Sequence, residues 1–128
     1  MLQLSIFLEN SQGRLAQVLS VLAELKVNIR ALSLADTKDY GVLRIMVDEP
    51  EAVAAKLKER DYVVSTTPVW VLKVHDRAGG LSEVLNQLVE QGVSVEYMYA
   101  FVEKAGEAAQ VVIRVQDEQV MSEAVKKL

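Results

Sequence analysis

Two short segments of the sequence carry groups able to hold a small charged molecule: Asn10, Ser11, Gln12 and Gly13 in the first half, and Asp76, Arg77, Ala78 and Gly79 in the second. In each, an oxygen-bearing side chain stands three residues before a glycine, and an amphipathic run opening on Leu15 or Leu81 follows. Where such a run is helical, its first N–H groups lack intrahelical partners and carry partial positive charge, which suits a carboxylate. The glycine allows close approach to the backbone. The side chains of Asn10 and Asp76, with neighbouring carbonyls, can accept from an ammonium group. The same two side chains can instead close a turn by bonding to their own backbone.

Little else in the chain offers chemistry. Without cysteine there is no thiol nucleophile, disulfide framework or thiolate metal site, and a single histidine leaves almost nothing for zinc. That residue, His75, falls where the first half has Glu9, at the end of a strand-like run. It can contact a ligand or simply be solvated. No nucleophile stands with a base to activate it, so neither an enzyme nor a cofactor is expected. The net charge of -4 is spread over both halves without a basic stripe, which argues against nucleic acid and anionic membrane as partners. No apolar run approaches the roughly 20 residues of a membrane span, and Met1 leads directly into a strand-like segment, so the chain is expected to be cytoplasmic.

The two segments occupy equivalent places in an internal repeat. A shift of 66 positions lays Gly13 on Gly79, Leu15 on Leu81, Val18 on Val84, Leu19 on Leu85, Leu22 on Leu88 and Val27 on Val93. Ahead of each turn, alternation at Leu4, Ile6 and Leu8, and at Trp70, Leu72 and Val74, marks a strand with one buried face. Behind each turn, Leu15, Val18, Leu19 and Leu22, and Leu81, Val84, Leu85 and Leu88, follow helical spacing. Gly92 ends the second helix as a C-terminal glycine should, whereas Lys26 stands at that place in the first.

Strands are expected at 28–35 and 94–101, turns at 36–41 and 103–107, third strands at 42–47 and 111–115, and second helices at 51–60 and 118–128. With right-handed crossovers, this order gives an α+β fold of two tandem ferredoxin-like βαββαβ modules, at 1–67 and 68–128, with both helices on one face of each antiparallel sheet. A fourth strand is legible only in the first module, at 62–65. That fold hosts many functions. A metal carrier would need a Cys-x-x-Cys loop. An acylphosphatase-like enzyme would need a phosphate cradle around Arg14 or Arg77, and no Gly-rich one is present. Tyr97, Tyr99 and Phe101 alternate onto one face as RNA-stacking aromatics would, but the acidic balance speaks against it.

The Asn10–Gly13 and Asp76–Gly79 spacing, each followed at once by a helix opening on leucine, resembles the ACT-domain motif. The tandem order resembles small double-ACT proteins, over nearly the whole chain. The resemblance implies a non-catalytic regulatory module that binds a small amino acid where modules meet. The residues it implies are Asn10, Gln12, Gly13, Arg14, Leu15, Asn28 and Ile29 in the first copy. In the second they are His75, Asp76, Ala78, Gly79, Gly80, Leu81, Ser94, Val95, Tyr97 and Tyr99. Ala31, Ser33 and Ala35 replace the aromatics of the second copy, so unequal pockets are expected, the second turn mattering more. The alternative is an interaction module that retains no ligand.

A homodimer is also expected. Phe7, Val42, Met46, Val71, Tyr97, Tyr99, Phe101 and Val112 should point away from the helices, an apolar face that suggests a second copy. The connection at 66–68 is also short. Joining the modules edge to edge through their second strands within one chain would need roughly 29 Å, while four or five extended residues span about 17 Å.

Overall fold

The protein, described by a computed structural model at residues 1–9, 11–36, 39–102 and 108–128, divides into two compact units, Leu2–Pro68 and Met1 with Val69–Leu128. The first unit runs β1 (Leu2–Glu9), α1 (Arg14–Glu24), β2 (Ala31–Asp36), β3 (Tyr40–Met46), α2 (Pro50–Glu59) and β4 (Val63–Pro68). Its antiparallel sheet has the order β2-β3-β1-β4, so β1 is flanked on both sides. Leu4, Ile6 and Leu8 of β1 join Leu43 and Ile45 of β3 on one face. Val18 and Leu22 from α1, and Val53 and Leu57 from α2, close over them. Tyr62 and Val64 complete this core on the β4 side, 7% and 8% exposed.

The second unit repeats the order through β5 (Trp70–His75), α3 (Gly80–Glu90), β6 (Val95–Ala100), β7 (Ala108–Val115) and α4 (Glu118–Val125). Its sheet is β5-β7-β6, with no described strand on the outer edge of β5. Leu72, Val74, Val111 and Ile113 pack with Leu88 of α3 and with Met121 and Ala124 of α4. The βαββα order of both copies is thus as expected.

Several details differ from expectation. Residues 66–68 are the end of β4 and not a connection, so Val69 alone separates β4 from β5. The second strands begin later than expected, at Ala31 and Val95, because extra residues leave the helix ends before pairing starts. Leu81, expected in the core, is 39% exposed. It lies in the first turn of α3, and helical side chains lean toward the N-terminus, so this one reaches past the helix end. Leu15, Leu19, Leu85 and Trp70 are only partly buried against their cores. On the face away from the helices Met46 and Val112 are buried, Phe7 is exposed and the other five are half-buried, so the apolar surface invoked for a partner is only partly open to solvent. The turn at 103–107, with residues 37 and 38 of the other, lies outside the described residues.

Both first helices end in the same way. Val27 and Val93 donate to the carbonyls of Leu22 and Leu88, and the residue before each is left-handed, Lys26 at φ 59 and Gly92 at φ 84.

Candidate functional site

The two strand-to-helix turns are built on the same hydrogen bonds. In the first, the Ser11 N–H donates to the Glu9 carbonyl at 2.8 Å and the Arg14 N–H to the Ser11 carbonyl at 3.3 Å. In the second, Arg77 donates to His75 at 2.9 Å and Gly80 to Arg77 at 3.0 Å. Gly13 and Gly79 then occupy the N-cap with φ of 80 and 84, a conformation that strongly favours glycine. Being glycines, these N-cap residues supply no capping side chain. Among the described residues, a Cβ at either glycine would meet nothing within 4 Å.

The surroundings of the turns are unlike. At the first, a cavity of about 190 Å³ is floored by Leu8, Leu15 and Leu34 and bordered by Glu9 and Asp36. Arg14 brings the opposite charge to the same cavity. Its guanidinium lies 5.1 Å from the ring centroid of the buried Tyr62, and Nη1 donates to Gln17 Oε1 at 2.9 Å. Its Nε is buried and has no hydrogen-bond partner among the described residues. A positive group beside the acidic Asp36 and an apolar floor is an arrangement able to hold a zwitterion.

At the second turn the cation is already engaged, since Arg77 Nη2 donates to both carboxylate oxygens of Glu83 at 2.8 and 2.9 Å. Gly80 replaces Arg14, and α3 begins so close to β5 that a Cβ on Gly80 would collide with the His75 carbonyl. A cavity of about 430 Å³ does reach His75 and Glu83, the partner of Arg77, but its lining includes none of the residues from Asp76 to Gly79.

The structure brings only part of the expected set together. Arg14 and Leu15 line the first cavity, with Gln12 and Gly13 in the turn beside it. Asn10 lies outside the described residues. Asn28 and Ile29 stand beyond the far end of α1, about 16 Å of helix away, and Asn28 borders a separate cavity of about 330 Å³ with Lys26, Asp48 and Lys56. Ser94 and Val95 are separated from Asp76, Ala78, Gly79, Gly80 and Leu81 by the equally long α3. The tyrosines are also apart from their turn. His75 pairs with Ala108, whereas Tyr99 pairs with Val112 and Tyr97 with Arg114, about 13 and 20 Å further along β7. Tyr97 and Tyr99 stack on each other instead, centroids 6.5 Å apart.

Glu9, Leu34, Asp36 and Gly41 escaped the sequence reading as site residues. Gly41 pairs with both Leu8 and Asp36, which is what draws Asp36 to the turn. Extending the β2–β3 hairpin register to β1 would have found it. Among the described residues no cluster of three or more metal-ligating side chains occurs, and no helix is long and apolar enough to cross a membrane.

Comparison with known proteins agrees with this architecture. A family model described as "ACT domain pair" matches residues 1–127. The solved structure of protein BT0572 from Bacteroides thetaiotaomicron is similar at TM-score 0.89 and 38% identity, over 98% of this chain and 86% of that one. The regulatory subunits of aspartate kinase from Thermus thermophilus and Thermus flavus share the fold at TM-scores of 0.65 and 0.58, each at 14% identity. The matches cover 98% of this chain and 91% and 90% of those chains. No curated protein sequence matches the chain.

Proposed function

The chain belongs to the ACT domain pair family, and from that membership we propose that it is a cytoplasmic regulatory module that binds a small amino acid and performs no reaction of its own. The observation that carries this reading is the cavity at the first turn, where Arg14, Asp36 and three leucines line a space of about 190 Å³. The ligand carboxylate faces the start of α1 and Arg14, and its ammonium faces Asp36 and neighbouring carbonyls. Its side chain rests on Leu8, Leu15 and Leu34. The site thereby moves to the first turn from the second, whose cation is held by Glu83 and whose tyrosines lie along the sheet.

Thermal unfolding of the full chain against each common amino acid at millimolar concentration tests the proposal. A ligand at a hundredfold excess over its Kd stabilises the folded state by about 2.7 kcal/mol, an easily read rise in Tm. Arg14→Ala should weaken that response at least tenfold in ligand concentration, the share expected of a charge-assisted hydrogen bond. Asp76→Ala should leave it nearly intact. If no amino acid moves the wild-type Tm, the chain is an interaction module without a ligand.

A further inference from the structure

Resting on the amino-acid reading of the first cavity, we infer that its ligand is an aliphatic amino acid of about the size of valine, selected by three leucines around Gly41. Strand alternation and register divide the lining into two parts. Asp36 stands two residues after Leu34 on β2, so both side chains take the face of the sheet that carries Leu8 and the helices. Glu9 follows Leu8 directly, so its side chain turns to the opposite face. Ser11 precedes α1 and Arg14 opens it, where a carboxylate meets N–H groups without intrahelical partners. The polar groups of the lining thus serve the ammonium and the carboxylate that every amino acid carries. What is left for the ligand side chain, among the described residues, is Leu8, Leu15, Leu34 and Gly41. A hydroxyl, amide or charge placed there loses water and gains no side-chain partner, whereas an alkyl group covers Leu34, which is 50% exposed.

Gly41 sets the size. It lies opposite Leu8 on β3, so a side chain at that position would enter the cavity. A Cβ there would stand 3.5 Å from Leu34 Cδ1 and 3.7 Å from the Ala35 carbonyl oxygen, both ordinary contacts. The space is therefore kept by residue type and not by any backbone constraint. The second module has Ala109 at the same place, opposite Val74. An apolar cavity of roughly 150 Å³ holds one benzene; in proportion, about 190 Å³ takes about eight non-hydrogen atoms, the size of valine.

Titration calorimetry of the full chain with alanine, valine, leucine, threonine, phenylalanine and glutamate tests this. Valine should bind about tenfold more tightly than alanine, through the methyl groups it adds. It should exceed threonine, which has its shape but carries a hydroxyl, by about tenfold or more. Gly41→Ala, folded by circular dichroism, should weaken valine by about tenfold and alanine far less, bringing the two close to parity. Asp36→Asn should weaken both alike, because it serves the end they share. Threonine, phenylalanine or glutamate binding as tightly as valine overturns this inference and leaves the amino-acid reading standing. A Gly41→Ala chain that keeps the wild-type ratio of valine to alanine does the same. If no common amino acid binds at millimolar concentration, both fall.

Discussion

The two modules share a core and differ at its borders. Leu4, Ile6, Val18 and Leu22 do for the first what Trp70, Leu72, Val84 and Leu88 do for the second, and Leu43, opposite Ile6, is matched by Val111, opposite Leu72. Their helices nonetheless start, stop and are capped by different residues, and among the described residues four strands form the first sheet and three the second. Arg14 of the first module faces a cavity, whereas Gly80, its counterpart, is sealed against β5. Burial in a shared core constrains volume at every repeated position, while turns and edges face solvent or ligand and are free to diverge. Divergence at those places is therefore where two copies of one fold acquire separate tasks.

Single substitutions sharpen that contrast. The largest effect is expected from Gly80→Ala, because its Cβ would meet a backbone carbonyl that no rotamer change can relieve; unfolding by urea should show a loss of about 3 kcal/mol. Arg14→Ala, at the same place in the first module, should cost under about 1 kcal/mol in the same measurement, since a side chain is already accommodated there. Equal losses at the two positions would mean that the helix starts are not distinct.

A smaller difference is expected between the second helices. Asp117 caps α4 by accepting from the N–H groups of Gln119 and Val120 at 3.0 and 3.1 Å, while Glu49 at the start of α2 makes no such bond. Asp117→Ala should lower stability by about 1 kcal/mol, and Glu49→Ala should leave the urea midpoint almost unchanged.

The smallest effect should be a gain. Lys26 holds the left-handed position that Gly92 occupies in the other module, so Lys26→Gly should raise stability by about 0.5 kcal/mol, relief of the side-chain clash outweighing the greater entropy of glycine. Gly92→Lys should lose at least as much. A fall in Tm for Lys26→Gly would show that the first helix end depends on the lysine side chain and not on its backbone.

What the sequence determined by itself was the repeat and therefore the fold. Strand alternation and helical spacing are local, periodic consequences of burying one face, and they are readable wherever that face is apolar, as at Leu4, Ile6 and Leu8 or Leu85 and Leu88. The glycines at both helix starts were readable for a related reason, since a left-handed turn leaves few other choices. The site was legible only in part. Arg14, Leu15 and Gly13 were visible as neighbours of a turn, but Asp36 and Leu34 come from β2 and reach the turn only through the register of three strands. No local pattern specifies which residues of two distant strands stand opposite. Nor could periodicity tell that Arg77 is taken by Glu83, or that Tyr97 and Tyr99 lie well along the sheet from His75. Those facts are distances between groups remote along the chain, and only packing in three dimensions sets them.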